Sequence, residues 1–152
     1  MTDVVSKATR SRMMAGIGGR NTSPELLIRS LLHRNGYRFR LHRKDLPGKP
    51  DIVLKKYRAV ILIHGCFWHG HRCHMFKWPK SNADFWCTKI LANVKRDRRA
   101  IAALDMAGWR ILTIWECGLR GPRAIVPDVL FRRISSWLQS RVAQSELSGK
   151  IA

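Results

Sequence analysis

The stretch Asp51–Ile52–Val53–Leu54–Lys55–Lys56–Tyr57–Arg58–Ala59–Val60–Ile61–Leu62–Ile63–His64 decides how the rest of the chain is read. Ile52–Leu54 is a short apolar run, Lys55–Arg58 is a polar reversal, and Ala59–Ile63 is apolar at every position. Two runs rich in β-branched residues on either side of a polar turn predict an antiparallel hairpin. The second strand does not alternate, so it is expected to be central, with both faces covered. Just upstream, Pro47–Gly48–Lys49–Pro50 is a loop that delivers Asp51 to the mouth of the hairpin.

Downstream, residues 64–84 have no period and are rich in His, Cys, Trp and Lys. A loop of that length in a compact domain needs its own reason to be ordered. Residues 85–107 read as a long helix ended by Gly108, with Ile90, Val94, Ile101 and Leu104 as its apolar stripe. Asp97 falls inside that stripe, where an ionised carboxylate is costly unless paired, so a partner from elsewhere in the fold is expected. Trp109–Trp115 is another strand. Strand 59–63, helix 85–107 and strand 109–115 form a β-α-β unit, which predicts parallel strands and a right-handed crossover.

Upstream of the hairpin, a helix is expected to start at Thr22–Ser23–Pro24–Glu25, capped by Thr22 or Ser23 and ended by Gly36. Its stripe is Leu27, Leu31 and Leu32. Tyr37, Phe39 and Leu41 then alternate with Arg38, Arg40 and His42, the pattern of a half-buried strand with a basic outer face. A last helix is expected from Pro127 to Arg141, with Val129, Ile134, Trp137 and Leu138 inward. The fold class is α/β, a mixed sheet flanked by helices. Residues 1–20 read as a flexible, basic arm that orders on gripping DNA, residues 21–141 as the folded domain, and residues 142–152 as a tail without pattern.

The chain has 152 residues with 29 Lys and Arg against 10 Asp and Glu, a formal charge of +19. That length fits one domain with a real core, and the charge points to nucleic acid. A basic RNA binder or a membrane-surface protein shares the same charge. No apolar run approaches the roughly 20 residues of a membrane span. The first residues lack the apolar core of a secretory signal, so the expected compartment is the cytoplasm.

Cys66, His71 and Cys73 lie close together, and Cys117 follows strand 109–115. If that strand lies parallel to 59–63, both loops leave the same edge of the sheet and the cysteines meet. Three thiolates and one imidazole make a closed, structural zinc site. Spacing alone leaves His69, His71 and His74 open as the fourth ligand, and unrelated free thiols are the alternative. Cys87 lies outside the group and reads as an ordinary helical cysteine. Phe67 and Trp68 sit in the same loop with no periodic reason to be core, and adjacent aromatics beside a basic surface suit insertion between base pairs.

The run Ile63–His64–Gly65–Cys66–Phe67–Trp68–His69–Gly70–His71–Arg72–Cys73 resembles the signature of the very short patch repair (Vsr) endonucleases. Ala8–Thr9–Arg10–Ser11, Pro47–Asp51, Asn93–Val94–Lys95–Arg96–Asp97–Arg98–Arg99, Gly108–Trp109–Arg110 and Trp115–Glu116–Cys117 extend the resemblance over about residues 6–140. It implies a restriction-endonuclease-like sheet and a Mg²⁺-dependent, strand-specific nick 5′ to the thymine of a T:G mismatch, as in repair of deaminated 5-methylcytosine. It implies that Asp51 and the Ile63 carbonyl hold a pair of Mg²⁺ ions, with Glu25 supporting them through water. It further implies His69 as general base oriented by Asp97, His64 on the phosphate, and Zn²⁺ on Cys66, His71, Cys73 and Cys117. Phe67, Trp68 and Trp86 would form an intercalating wedge, with Met14 entering from the opposite groove. The same resemblance implies a monomer in the bacterial cytoplasm, associated with the nucleoid and cooperating with MutL and MutS. Gly70 and Arg72 depart from it, since histidine is expected there in relatives. The alternatives are a nuclease of the same fold with broader mismatch or restriction activity, or a zinc-stabilised nucleic-acid-binding module without catalysis, which the absence of a Glu-x-Lys motif favours.

Overall fold

A computed structural model describes residues 22–149. The arm at residues 1–20, Met14 included, lies outside the described residues. A five-stranded mixed sheet runs in the order β1 (Arg40–Leu41), β2 (Ile52–Leu54), β3 (Ala59–His64), β4 (Arg110–Trp115) and β5 (Gln144–Leu147). The first three strands are antiparallel neighbours, and β3, β4 and β5 are parallel. Helix α1 (Ser23–Arg34) precedes the sheet, α2 (Ala83–Met106) connects β3 to β4, and α3 (Pro127–Gln139) connects β4 to β5.

The all-apolar run of β3 is explained by two separate cores. Ile52, Leu54, Ala59, Ile61, Leu112 and Ile114 face α1 and α3 through Ile28, Leu31, Leu32, Leu130, Ile134, Trp137 and Leu138. Val53, Val60, Leu62 and Ile111 face the other way, toward Leu104 and Trp109. Successive strand side chains point to opposite faces, so a strand covered on both sides must be apolar at every position.

Local signals place the ends of α1 well. Thr22 Oγ1 accepts from the Glu25 amide at 3.5 Å, Pro24 occupies the first turn, and Gly36 follows with φ +82°. Ile28 rather than Leu27 leads the buried stripe, and in α3 Leu130 rather than Val129 does so. The expected strand over 37–41 is paired only at Arg40 and Leu41. Tyr37 and Phe39 pack against the α1/α3 core instead, and the Tyr37 hydroxyl lies 2.8 Å from Ser135 Oγ.

The segment 142–152, set apart in sequence as a patternless tail, supplies β5. Gln144–Leu147 pairs with Ile111–Ile114, and Leu147 packs on the core. Its polar composition hides a strand because pairing with β4 needs only backbone groups. Gly149 follows, buried, with its N–H donating to Cys117 Sγ at 3.2 Å. A Cβ on Gly149 would lie 2.4 Å from the Cys117 carbonyl oxygen, so this approach requires glycine. Arg110 locks the same region. Its guanidinium donates to the carbonyls of Trp137, Leu138 and Tyr57 at 2.9–3.1 Å, closing the end of α3 against the sheet.

Truncation after Ala143 is expected to lower unfolding stability by on the order of 3 kcal/mol, from lost ladder bonds and the uncovered Leu147 contact. Urea unfolding checks this, and an unchanged midpoint would mean that β5 contributes nothing to the sheet.

Candidate active site and metal centre

The parallel register of β3 and β4 brings His64 beside Trp115, so the two strands end at the same edge. The loops that follow carry the chemistry. Sγ of Cys66, Cys73 and Cys117 and one ring nitrogen of His71 all lie within 4.8 Å of one another. His71 Nδ1 is 3.5 Å from Cys66 Sγ and 3.7 Å from Cys117 Sγ, and its ring stacks on Trp115 at 4.1 Å. The geometry therefore brings His71, rather than His69 or His74, to the three thiols. Backbone amides aim at each sulfur: Cys117 N–H at Cys66, Met75 N–H at Cys73 and Gly149 N–H at Cys117. Burial pushes the Cys66 and Cys117 thiols up, so a cation is what would hold them as thiolates. Three sulfurs and one imidazole at this spacing fit tetrahedral Zn²⁺.

A second group sits one step away. His69 Nδ1 lies 2.5 Å from Asp97 Oδ2, which is the partner that the stripe of α2 called for. The pair is part-buried, with side chains 25% and 23% exposed, so Asp97 sits at the margin of the core rather than inside it. A carboxylate can only accept, so Nδ1 carries a proton, and in the neutral ring Nε2 presents its lone pair. Gly70 makes this approach possible. It has φ +63°, and a Cβ there would lie 3.0 Å from Ile90 and 3.1 Å from Val94 of α2. Asn93, whose role was not apparent in the sequence, donates to the Trp68 carbonyl at 2.9 Å and pins the loop one turn of α2 before Asp97.

His64 stacks on His69 with ring centroids 3.9 Å apart and planes 4° off parallel. Burial drives its pKa down to about 3, so it is neutral at physiological pH. A neutral imidazole can donate a hydrogen bond to a phosphate, but it brings no positive charge.

The third group is Glu25, His42 and Asp51. Asp51 Oδ2 accepts the Ile63 amide at 2.7 Å, which ties the hairpin mouth to the end of β3. Burial lifts the Asp51 carboxyl to about 7, with the nearby Glu25 charge adding to the rise and the Ile63 bond opposing it. Glu25 is 3% exposed and takes Arg29 at 2.8 Å and His42 at 3.2 Å. Two carboxylates, Glu25 buried and Asp51 part-buried, fit a hard divalent cation held by oxygen. His42 and Arg29 were not singled out in the sequence, where His42 looked like one more outward-facing basic residue.

Phe67, Trp68 and Trp86 form one aromatic cluster, with ring centroids 5.3–5.7 Å apart. Phe76, Trp78 and Phe85 extend it, and Trp78 and Phe85 are at least half exposed. These three were missed because no sequence period links them. They come together only when the loop folds over the start of α2. Cys87 is half-buried and outside the thiol group.

The family described as DNA mismatch endonuclease Vsr matches residues 2–75. The DNA mismatch endonuclease Vsr of Escherichia coli is 45% identical over 147 residues, covering 97% of this chain and 94% of that protein. The type II nicking enzyme V.XorIIP of Xanthomonas oryzae pv. oryzae is 54% identical over 78% of this chain and 88% of its own. The type II nicking enzyme V.NmeAIP of Neisseria meningitidis is 43% identical over 88% of this chain and 95% of its own.

A proton on Asp51 competes with any cation that binds there. Apparent Mg²⁺ affinity should therefore rise by about tenfold per pH unit below pH 7 and level off above it. Calorimetry at pH 6 in two buffers of different ionisation enthalpy should show about one proton released per binding event. Affinity independent of pH between 5 and 7 would contradict the raised Asp51 pKa.

Proposed function

The chain belongs to the Vsr family of DNA mismatch endonucleases, and from that premise we propose that it nicks one strand of a duplex 5′ to the thymine of a T:G mismatch, using Mg²⁺. The single observation that carries this reading is that the His64–His69–Asp97 group follows directly on the end of β3, the same strand end whose Ile63 amide holds the Asp51 carboxylate, with an aromatic cluster in the same loop. Relatives named as nicking enzymes support cutting of one strand.

Asp51 is proposed as the carboxylate that holds the catalytic cations, with Glu25 behind it. In an extended strand the N–H and C=O of one residue point toward the same neighbour. The Ile63 amide already meets Asp51, which supports its carbonyl as a further oxygen ligand. Mg²⁺ held by these groups would supply positive charge toward a bound phosphate and would make a nearby water more acidic. His69 Nε2 would accept a proton from the attacking water, while Asp97 keeps Nδ1–H in place and would stabilise the imidazolium that results. His64, neutral and stacked on His69, donates a hydrogen bond to the phosphate. The Cys66, His71, Cys73 and Cys117 group holds Zn²⁺ and fixes the loop from which His64 and His69 act.

Binding and choice of substrate belong to other groups. Lys95, Arg96, Arg98 and Arg99 are exposed on α2 and suit phosphate contacts. Phe67, Trp68 and Trp86 suit a wedge that enters where stacking is weak, and a wobble pair lowers the cost of opening that step. Met14 is proposed for the opposite groove. The restriction-endonuclease-like class of fold, action as a monomer in the bacterial cytoplasm and cooperation with MutL and MutS complete the reading and rest on the family resemblance.

Single-turnover nicking of T:G and T:A duplexes by Trp68→Ala and His69→Ala separates recognition from chemistry. Trp68→Ala should lose about 1–3 kcal/mol of transition-state stabilisation on T:G and much less on T:A. His69→Ala should slow both substrates by a similar factor, on the order of 10²–10⁴. Equal losses for Trp68→Ala on both duplexes would remove the wedge, and efficient cutting of other mismatches would favour a broader nuclease.

A further inference from the structure

His42 has no part in the proposed chemistry, yet it stands between two carboxylates, the buried Glu25 and the part-buried Asp51. It follows β1 with φ +47°, a conformation that few non-glycine residues adopt. The turn aims its backbone N–H at the Asp51 carbonyl, 3.3 Å away, and leaves its side chain 17% exposed. The ring then meets three partners. Nε2 is 2.9 Å from Arg29 NH2 and 3.2 Å from Glu25 Oε2, and that same Arg29 nitrogen is 2.8 Å from Glu25 Oε2. Nδ1 is 4.0 Å from Asp51 Oδ1.

Hydrogen counting assigns the roles. A guanidinium only donates, and the terminal nitrogen of Arg29 has a hydrogen for Glu25 and a second for His42. Nε2 of His42 has two contacts that ask for opposite roles: the 2.9 Å approach to Arg29 needs it to accept and the 3.2 Å approach to Glu25 needs it to donate. The shorter one favours acceptance, which puts the ring proton on Nδ1, the atom that faces Asp51. Asp51 Oδ2 is already held by the Ile63 amide at 2.7 Å. Each oxygen of this carboxylate therefore has its own director, β3 for Oδ2 and His42 for Oδ1. We propose that His42 is a positioning residue for the metal-holding carboxylate, carrying the order of the α1 pair Glu25–Arg29 across to Asp51.

The distances favour positioning over ligation. The Arg29 cation sits within 3 Å of both Glu25 and His42, so that corner of the group already holds a positive charge. At 4.0 Å, Nδ1–H attracts Oδ1 without forming a full hydrogen bond. The lone pairs that a cation needs stay available, while the carboxylate plane is restrained. Outer partners of ligating groups commonly act in this way.

The inference rests on Asp51 being the metal-holding carboxylate, so Asp51→Asn belongs in the same experiment. Full-length wild type, His42→Ala, His42→Gln and Asp51→Asn are compared by single-turnover nicking of a T:G duplex across a Mg²⁺ series. His42→Ala should raise the Mg²⁺ concentration for half-maximal rate by about tenfold, with a smaller effect on the saturated rate. Glutamine can accept from Arg29 and donate toward Asp51, so His42→Gln should restore half-saturation to within about twofold of wild type. ¹⁵N NMR of the wild-type His42 ring, which needs no variant to fold, should report the Nδ1–H tautomer. An unchanged Mg²⁺ requirement in His42→Ala, no rescue by glutamine, or an Nε2–H or doubly protonated ring would overturn the proposal. Full nicking by Asp51→Asn would instead overturn the reading beneath it.

Discussion

Two buried cysteines, Cys66 and Cys117, meet because β3 and β4 are parallel and end at the same edge. That meeting is the constraint on which the site depends. Residues 65–82 form no helix or strand beyond short turns, and ordering such a segment costs conformational entropy at every residue. Cys66, Cys73 and His71 come from this loop and Cys117 from the next, so one centre can tether the loop near its start and in its middle. A metal centre of this kind contributes on the order of 10 kcal/mol to folding, enough to offset much of that cost. The tether has a second anchor on α2, where Asn93 and Asp97 hold Trp68 and His69. Between the two anchors the imidazoles of His64 and His69 are left stacked.

The electrostatics divide in the same way. A chain of formal charge +19 brings two acidic groups, the buried Glu25 and the part-buried Asp51, together at the mouth of the β2–β3 hairpin. Burial lifts Asp51 to about 7 and drives His64 to about 3, so near neutral pH, with no cation or phosphate present, His64 is uncharged and Asp51 is divided between its charged and uncharged forms. Such a site is poised for ligands that bring charge of both signs. A divalent cation favours the Asp51 carboxylate, and a phosphate meets a hydrogen-bond donor in His64.

Much of this architecture could be read from the chain. The hairpin, the parallel unit and the helix limits followed from period, turn chemistry and β-branched content, because each is set by neighbours within a few residues. The three cysteines were readable as one group once the strands were taken as parallel, while the choice of His71 needed either the family resemblance or the coordinates. Asp97 announced itself as a carboxylate in an apolar stripe, and His69 is its partner. What stayed hidden depends on distant contacts. Gln144–Leu147 is polar and becomes a strand only because β4 offers it an edge. His42 followed the alternation of a basic strand, but a left-handed turn rotates it inward. Gly70 looked like a missing histidine, and the structure gives glycine a reason there, since its φ is +63° and a Cβ would press on the Ile90 and Val94 methyls of α2 at 3.0–3.1 Å.

The central claim is that the thiol and imidazole centre fixes the loop from which the cutting groups act. Its most direct measurement is nicking of a T:G duplex by zinc-stripped protein in saturating Mg²⁺, before and after stoichiometric Zn²⁺ is restored. The account predicts a loss of at least about 100-fold on stripping, with recovery on adding Zn²⁺ back. Zinc-free protein that nicks at the full rate would contradict it.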